Sequence, residues 1–345
     1  MRHQSSLLFW GLLGVSVAFC LIFITPAQPV QGQTDQLFVS MWGGGISCEQ
    51  WSPCSIETAQ DLWGFGDTIY IQQGDYYLDS SITINQSITL VGGWDGAEEG
   101  EVVVDPEKYP PVFMDVHTPD EPFFDIGTRN IPQTVVISGI YFNFMSSGGI
   151  TVGDGSTLVI ERNYFARSPW AVEVGEDANI IAVNNIFADC GRAFYTEEFI
   201  MDGGSIHLVN NTFTDMLEVI DVRGHDVSAV NNIFSNISWE VINQNSGEVD
   251  ASHNLLYTSE TPGALPAGSW ITGDPQFVDP DSGNFHIGAA SSARDAGTTP
   301  SVPGYGTLTV DYDGEARPNE GGVDIGADEY YEPDLVPTFF PLFLN

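Results

Sequence analysis

A chain of 345 residues with 42% hydrophobic and only 16% charged side chains has apolar material for a large core, and is no disordered acidic tail. Its charge is one-sided: 47 acids oppose 9 Lys and Arg, the net charge is −38, and Lys108 is the single lysine. Such a field excludes nucleic acid and anionic membrane surfaces as partners. It fits either a solvated, self-repelling surface or carboxylates that take up a hard cation such as Ca²⁺.

At the N-terminus, Arg2 and His3 precede an apolar run from Leu7 to Thr25, and PAQPVQGQTDQ follows. A charged start, an apolar centre and a small-residue exit at Val30-Gln31-Gly32 make residues 1–32 a signal peptide. The run is also long enough to serve as an uncleaved anchor. Phe19 stands before Cys20, where a lipoprotein signal needs a small side chain, so lipidation is rejected. No later stretch resembles a membrane span, and the expected location is secreted or cell surface. The motif CEQWSPC spaces Cys48 and Cys54 for a small disulfide loop in an oxidising compartment. Zinc there would need further Cys or His nearby, and Cys190 is left odd and expected buried.

The middle of the chain repeats itself. RNYF, NNIF, NNTF, NNIF and HNLL align on Asn163, Asn185, Asn211, Asn232 and Asn254, with spacings of 22, 26, 21 and 22 residues. That period suits a leucine-rich repeat or one coil of a β-helix, and the L-x-x-L-x-L framework is missing. Leu158/Ile160, Ile180/Ala182, Ile206/Leu208, Val227/Ala229 and Val249/Ala251 stand five and three residues before the asparagine, as the inward face of a strand requires. Phe165, Phe187, Phe213, Phe234 and Leu256 stand two residues after it. Inward parity slips between the two, which places a corner at the asparagine, a residue tolerant of left-handed backbone. Stacked coils, about 4.8 Å apart, would join the five asparagines into a hydrogen-bonded ladder. Ile140 and Gly93 take the corner in two earlier coils, and PPVFMDV and PFFDIG between them read as strands.

These features resemble the right-handed parallel β-helix proteins of the pectin-lyase-like superfamily. CEQWSPCSIETAQDLWGFGDTIYIQQGDYYLDSSITINQSITLVGG looks like their entry segment, although Glu57 to Trp63 copy its helix imperfectly. GDPQFVDPDSGNFHIGAASSARDAGT, DYDGEARP and GGVDIGADEY look like the C-terminal region called choice-of-anchor Q, with Arg294 where an apolar residue is usual. The resemblance implies an all-β chain: an N-terminal cap over 33–66 and a single-stranded right-handed parallel β-helix of about seven coils over 67–262. A small choice-of-anchor Q like cap over 263–332 and a tail over 333–345 complete it.

One scaffold carries lyases, hydrolases, esterases and adhesins, so chemistry must be sought in aligned side chains. In the strand after the phenylalanine, the outward positions are Glu173, Tyr195, Asp221 and Ile242, then Gly175, Glu197, Arg223 and Gln244. Glu173, Tyr195, Glu197, Asp221 and Arg223 form the best sugar- or calcium-binding surface, or else a solvated face with an ion pair. A second column, Arg167, Asp189, Asp215, Asn236 and Thr258, offers either a carboxylate pair or turn acceptors. Trp170 and Trp239 take equivalent turn positions, to stack sugars or cover the core. His207, His225 and His253 fall at different coil positions and share no site. Asp311, Asp313, Asp324 and Asp328 either shape turns or clamp an ion that ties the cap to the coils.

Two functions stand. One is a non-catalytic glycan-binding or structural, adhesive surface protein. The other is a calcium-dependent polysaccharide lyase or a glycoside hydrolase, which needs paired carboxylates or a basic residue beside calcium. The expected partner is an extracellular polysaccharide or cell-surface component, and the expected state is a monomer.

Overall fold

The structure, a computed structural model, describes residues 35–114, 121–127, 131–143, 148–196, 203–243, 247–258, 265–319 and 321–332. The expected signal peptide 1–32, Glu197, Gln244 and the expected tail 333–345 lie outside them. No helix of the described residues is long and apolar enough to cross a membrane.

Parallel strands stack into about eight turns of a right-handed β-helix. Each coil visits three faces in order. Thr157–Glu161, Tyr164–Ala166 and Trp170–Val174 make one coil, and Asn179–Val183, Ile186–Ala188 and Arg192–Tyr195 lie on the next, residue against residue. The count is one more than the seven read from the corner residues. Thr68–Gln72, Gly74–Tyr77 and Ile82–Ile84 already form a full coil. Pro111–Met114 and Phe124–Ile126 are strands of the second coil, inside the long excursion. At the N-terminal end Gln36–Val39 pairs with Thr68–Gln72 and the helix Ile56–Leu62 packs beside it. Cys48 and Cys54 are disulfide-bonded there, and Cys190 is a buried free thiol.

The core follows from alternation. Leu158, Ile160, Ile180, Ala182, Ile206, Leu208 and Ala229 are fully buried on the first face. On the second face Phe142, Phe165, Phe187, Phe213 and Phe234 stack ring on ring, with centroids 4.7, 4.9, 4.9 and 5.3 Å apart and planes within 13° of parallel. Each buried ring contributes about 1.5–3 kcal/mol by leaving water. Trp270 tilts over the last ring at 5.7 Å.

The corner between the first two faces divides its work between two residues. Left-handed backbone belongs to the first residue of each word, Arg162, Asn184, Asn210, Asn231 and His253, all with φ between 51° and 57°. The second residue carries the ladder, which differs from a reading that gave it the bend. Asn163, Asn185, Asn211 and Asn232 each donate their backbone N–H and Nδ2 to the next Oδ1, at 2.9–3.1 Å. Asn254 ends the series, and Ile140 begins it by donating its N–H to Asn163 Oδ1. All five carboxamides are buried, and each Nδ2 also reaches a carbonyl of the preceding coil. A buried polar group is tolerated only when so satisfied.

The C-terminal segment folds back along this corner. Asn231 exchanges bonds with Thr298, Asn210 Nδ2 reaches the carbonyls of Asp324 and Gly326, Asn184 Nδ2 that of Val310, and Arg162 Nε that of Tyr312. Val302 and Leu308 bury Ile181, Val183 and Val209 on the outer side of the first face. Phe285, Tyr312 and Ala327 pack against Tyr141, Ile186 and Ala188 on the second.

Candidate functional site

Along the third face the register aligns Thr151, Glu173, Tyr195 and Asp221 in one outward column. A neighbouring column holds Trp170, Arg192, Glu218 and Glu240. Trp170 and Tyr195 lie 5.6 Å apart, and the Arg192 guanidinium sits 5.3 Å over the Tyr195 ring. Arg192 Nε pairs with Glu218 at 2.7 Å and with Asp221 at 3.1 Å. Glu218 is buried, and burial raises its carboxyl pKa although Arg192 opposes the rise. Arg223 is exposed and pairs with none of the described side chains, so Asp221's cation is Arg192, a residue the sequence columns passed over.

Two positions differ from the sequence columns for one reason. Met216 pairs with Ile237 but Glu218 with Glu240, so the later strand carries an extra residue. Ile242 therefore turns inward beside Ile220, and Asn243 takes the outward place, donating to Asp221 Oδ1 at 3.2 Å. The same slip makes Glu240, not the exposed Trp239, the counterpart of Trp170. Glu173 accepts from Thr151 Oγ1 at 3.2 Å. Two strand spacings, about 10 Å, separate it from Asp221, and Tyr195 stands between them.

Arg167, Asp189, Asp215 and Asn236 all hold left-handed backbone at the corner between the second and third faces. Asp215 accepts from Thr214 Oγ1 at 3.0 Å and from Asn236 Nδ2 at 3.1 Å. This corner forms one side of a groove of about 770 Å³, whose far wall is the turn from Val278 to Phe285. Tyr141, Tyr164 and Ala188 lie along it, with Arg167, Asp189 and Asp215 on one rim and Asp279 and Asp281 on the other. No sequence reading joined these parts, because the wall comes from beyond the last coil.

Beside the groove the acids of the C-terminal segment divide into two roles. Asp311 accepts the N–H groups of Asp313, Glu315 and Glu329, and Asp324 those of Asp295 and Tyr330. Arg317 is buried against Glu329 at 3.1 Å and donates to the carbonyls of Asp324, Gly326 and Ala327. These side chains shape turns. His286, Asp313 and Asp328 instead bring one ligand atom each within 4.8 Å of one another. Burial works against charge on His286, but its 2.6 Å hydrogen bond to Asp313 prevails and raises it to about 10. Burial, with neighbouring acids, raises Asp311 to about 6 and Glu315 to about 7, and pushes Asp328 well above the usual carboxylate range. His225 is a core residue bonded to the carbonyls of Arg223 and Gly175, and His253 is a corner residue.

Stacked parallel coils, an asparagine ladder and a lateral groove define a right-handed parallel β-helix with a surface cleft. Residues 127–274 match the family model described as right handed beta helix region. Among solved structures, the crystal structure of pectate lyase Pel9A matches with a TM-score of 0.40 and 15% identity, over 87% of this chain and 97% of that one. No curated protein matches significantly.

Proposed function

We propose that this chain is an exported, cell-surface β-helix that binds an extracellular polysaccharide in the groove beside its second face. The groove itself carries the reading. At about 770 Å³ it falls within the size of ligand clefts, and from Tyr141 to Asp215 it crosses four coils, roughly 14 Å. The half-buried Tyr164 in the groove, with guanidinium and carboxylate groups on its rims, suits the flat faces and hydroxyls of a sugar chain. The acidic rims favour a neutral or amino sugar polymer, and an anionic polymer would need Ca²⁺ to bridge it. The apolar run of residues 7–25 supports export, and the choice-of-anchor Q like motifs support attachment at a surface.

Binding without cleavage is supported by how the carboxylates are engaged. Arg192 holds both Glu218 and Asp221, and Asp215 is tied to Thr214 and Asn236. A second reading, a calcium-dependent polysaccharide lyase or a glycoside hydrolase, is favoured by the His286, Asp313 and Asp328 cluster adjoining the groove. One incubation separates the two. The protein is mixed with neutral and acidic plant, algal and microbial polysaccharides, with calcium and with chelator. Retention without new unsaturated or reducing ends supports the first reading, and product formation supports the second. Neither result on any polymer contradicts both.

A further inference from the structure

Next to the groove lies a small cavity of about 40 Å³, lined by Glu107, Tyr141, His286, Tyr312, Asp313 and Asp328 among others. Against the coil residues Tyr141, Tyr164 and Ile186, it gathers the excursion at Glu107, the strand Asn284–Ile287, the turn at Tyr312 and Asp313, and the turn at Asp328. We propose that this cavity is a site for a divalent transition-metal ion of the zinc type, held by His286 Nε2 and one oxygen each of Asp313 and Asp328, with Glu107 facing it as a further acid.

Geometry comes first. The three donor atoms already lie within 4.8 Å of one another. An ion with ligands about 2.0–2.1 Å away holds tetrahedral donors roughly 3.4 Å apart. The 4.0 Å between His286 Nε2 and Asp328 Oδ1 must then close and the 2.6 Å between His286 Nε2 and Asp313 Oδ2 must open, each by less than about an ångström. Each ligand is also held from behind. His286 Nδ1 is 2.6 Å from Asn284 Oδ1, which also accepts the His286 backbone N–H at 3.1 Å, and this aims Nε2 at the acids. Asp328 Oδ2 takes the Ile287 N–H at 2.7 Å, while its Oδ1 lies 4.0 Å from His286 Nε2.

A second, independent observation points to a missing ligand. Asp313 Oδ1 is buried with no hydrogen-bond partner, in a side chain only 7% exposed. Tyr312 Oη is likewise buried, with the Tyr141 hydroxyl beside it. Both residues line the cavity. Buried polar atoms without partners are rare in folded proteins and ask for an ion or an ordered water. Three carboxyl groups around one imidazole can release protons to a divalent ion and balance its charge, an exchange that water alone does not offer. The imidazole nitrogen selects the zinc group of metals over Ca²⁺, which takes oxygen ligands.

The test uses the tag-free full chain, stripped with chelator and titrated by calorimetry with zinc chloride and, separately, calcium chloride. One zinc ion per chain is expected, bound more tightly than calcium, with an X-ray absorption first shell of oxygen donors and a single imidazole. Asn284→Ala removes only the group that orients His286 and should weaken zinc about 10- to 100-fold; His286→Gln should weaken it further. If His286→Gln fails to fold, the Asn284→Ala titration and the spectrum of the unsubstituted protein decide. No saturable zinc binding, a shell with sulfur or several imidazoles, tighter binding of calcium, or an affinity indifferent to Asn284→Ala each overturns the assignment. No polysaccharide enters this experiment, so its failure leaves the glycan reading standing.

Discussion

Asn184 and Asn185 are neighbours in sequence, yet their carboxamides serve different partners. Asn185 Oδ1 accepts from Asn163 within the ladder, whereas Asn184 Nδ2 donates to the Val310 carbonyl of the returning C-terminal segment. The doubled asparagine thus joins one coil to the next with its second member and holds the C-terminal segment with its first.

The two positions should therefore fail differently. Asn185→Ala takes the acceptor from the buried Asn163 N–H, one of two acceptors from Asn163 Nδ2, and the Nδ2 donor from the Ile160 carbonyl. The expected cost is about 2–4 kcal/mol, since each buried orphan costs roughly 1–3. Asn184→Gly keeps the left-handed backbone and removes only the bond to the segment. Urea unfolding should show the large loss only for Asn185→Ala, while proteolysis near residue 310 should quicken for Asn184→Gly. Equal losses in both assays would contradict the division of labour.

Phe187 sits in the middle of the ring stack, fully buried between Phe165 and Phe213. Phe187→Ala should cost about 3–5 kcal/mol by opening a cavity. Phe187→Leu should recover much of that, and the two denaturation midpoints compare them directly.

Arg192 neutralises a nearly buried Glu218. Arg192→Met should destabilise the third face by about 1–3 kcal/mol, less than for a fully buried pair because the arginine is 29% exposed. Adding Glu218→Gln should return part of the loss, because the orphaned carboxylate is then gone. A double-mutant cycle measures this, and additive losses would contradict the pairing.

The acids of the C-terminal segment set a pH dependence in chelator-treated protein. Asp311 and Glu315 have folded pKa values raised to about 6 and about 7, above their ordinary 3.8 and 4.5. The folded state therefore binds protons more tightly, and stability from these groups is complete below about pH 4 and lost as pH rises through 6 and 7. His286, raised to about 10, keeps its contribution below 6.5 and loses it as pH climbs through 10. Amide exchange of residues 311–329 should quicken between pH 5 and 7 once intrinsic rates are corrected, and less so in Glu315→Gln. Slower corrected exchange with rising pH would contradict the assignment.

Much of the fold was legible because a solenoid states each rule several times. Leu158, Ile180, Ile206 and Val227 occur at one coil position, so the inward face could be read without any tertiary information. The path of the C-terminal segment repeats nothing, and its contacts, such as Arg162 with Tyr312, span 150 residues. A trace of it was present: Val159 and Ile181 are apolar at an outward position, where they lie under the segment. On the third face, column counting located Glu173, Tyr195 and Asp221 but lost its register at the extra residue between Ile237 and Glu240. Strand periodicity carries no mark of such a bulge. The groove was illegible for the same reason as the segment, since one wall is built from residues beyond the last coil.

The most direct test of the central claim is affinity electrophoresis of the purified chain through gels containing each polysaccharide, beside Tyr164→Ala and Asp281→Ala. The account predicts that at least one polymer retards the unsubstituted chain, that both substitutions restore its mobility, and that the polymer stays uncleaved. Retardation unchanged by both substitutions, or none by any polymer, would contradict a sugar-binding groove.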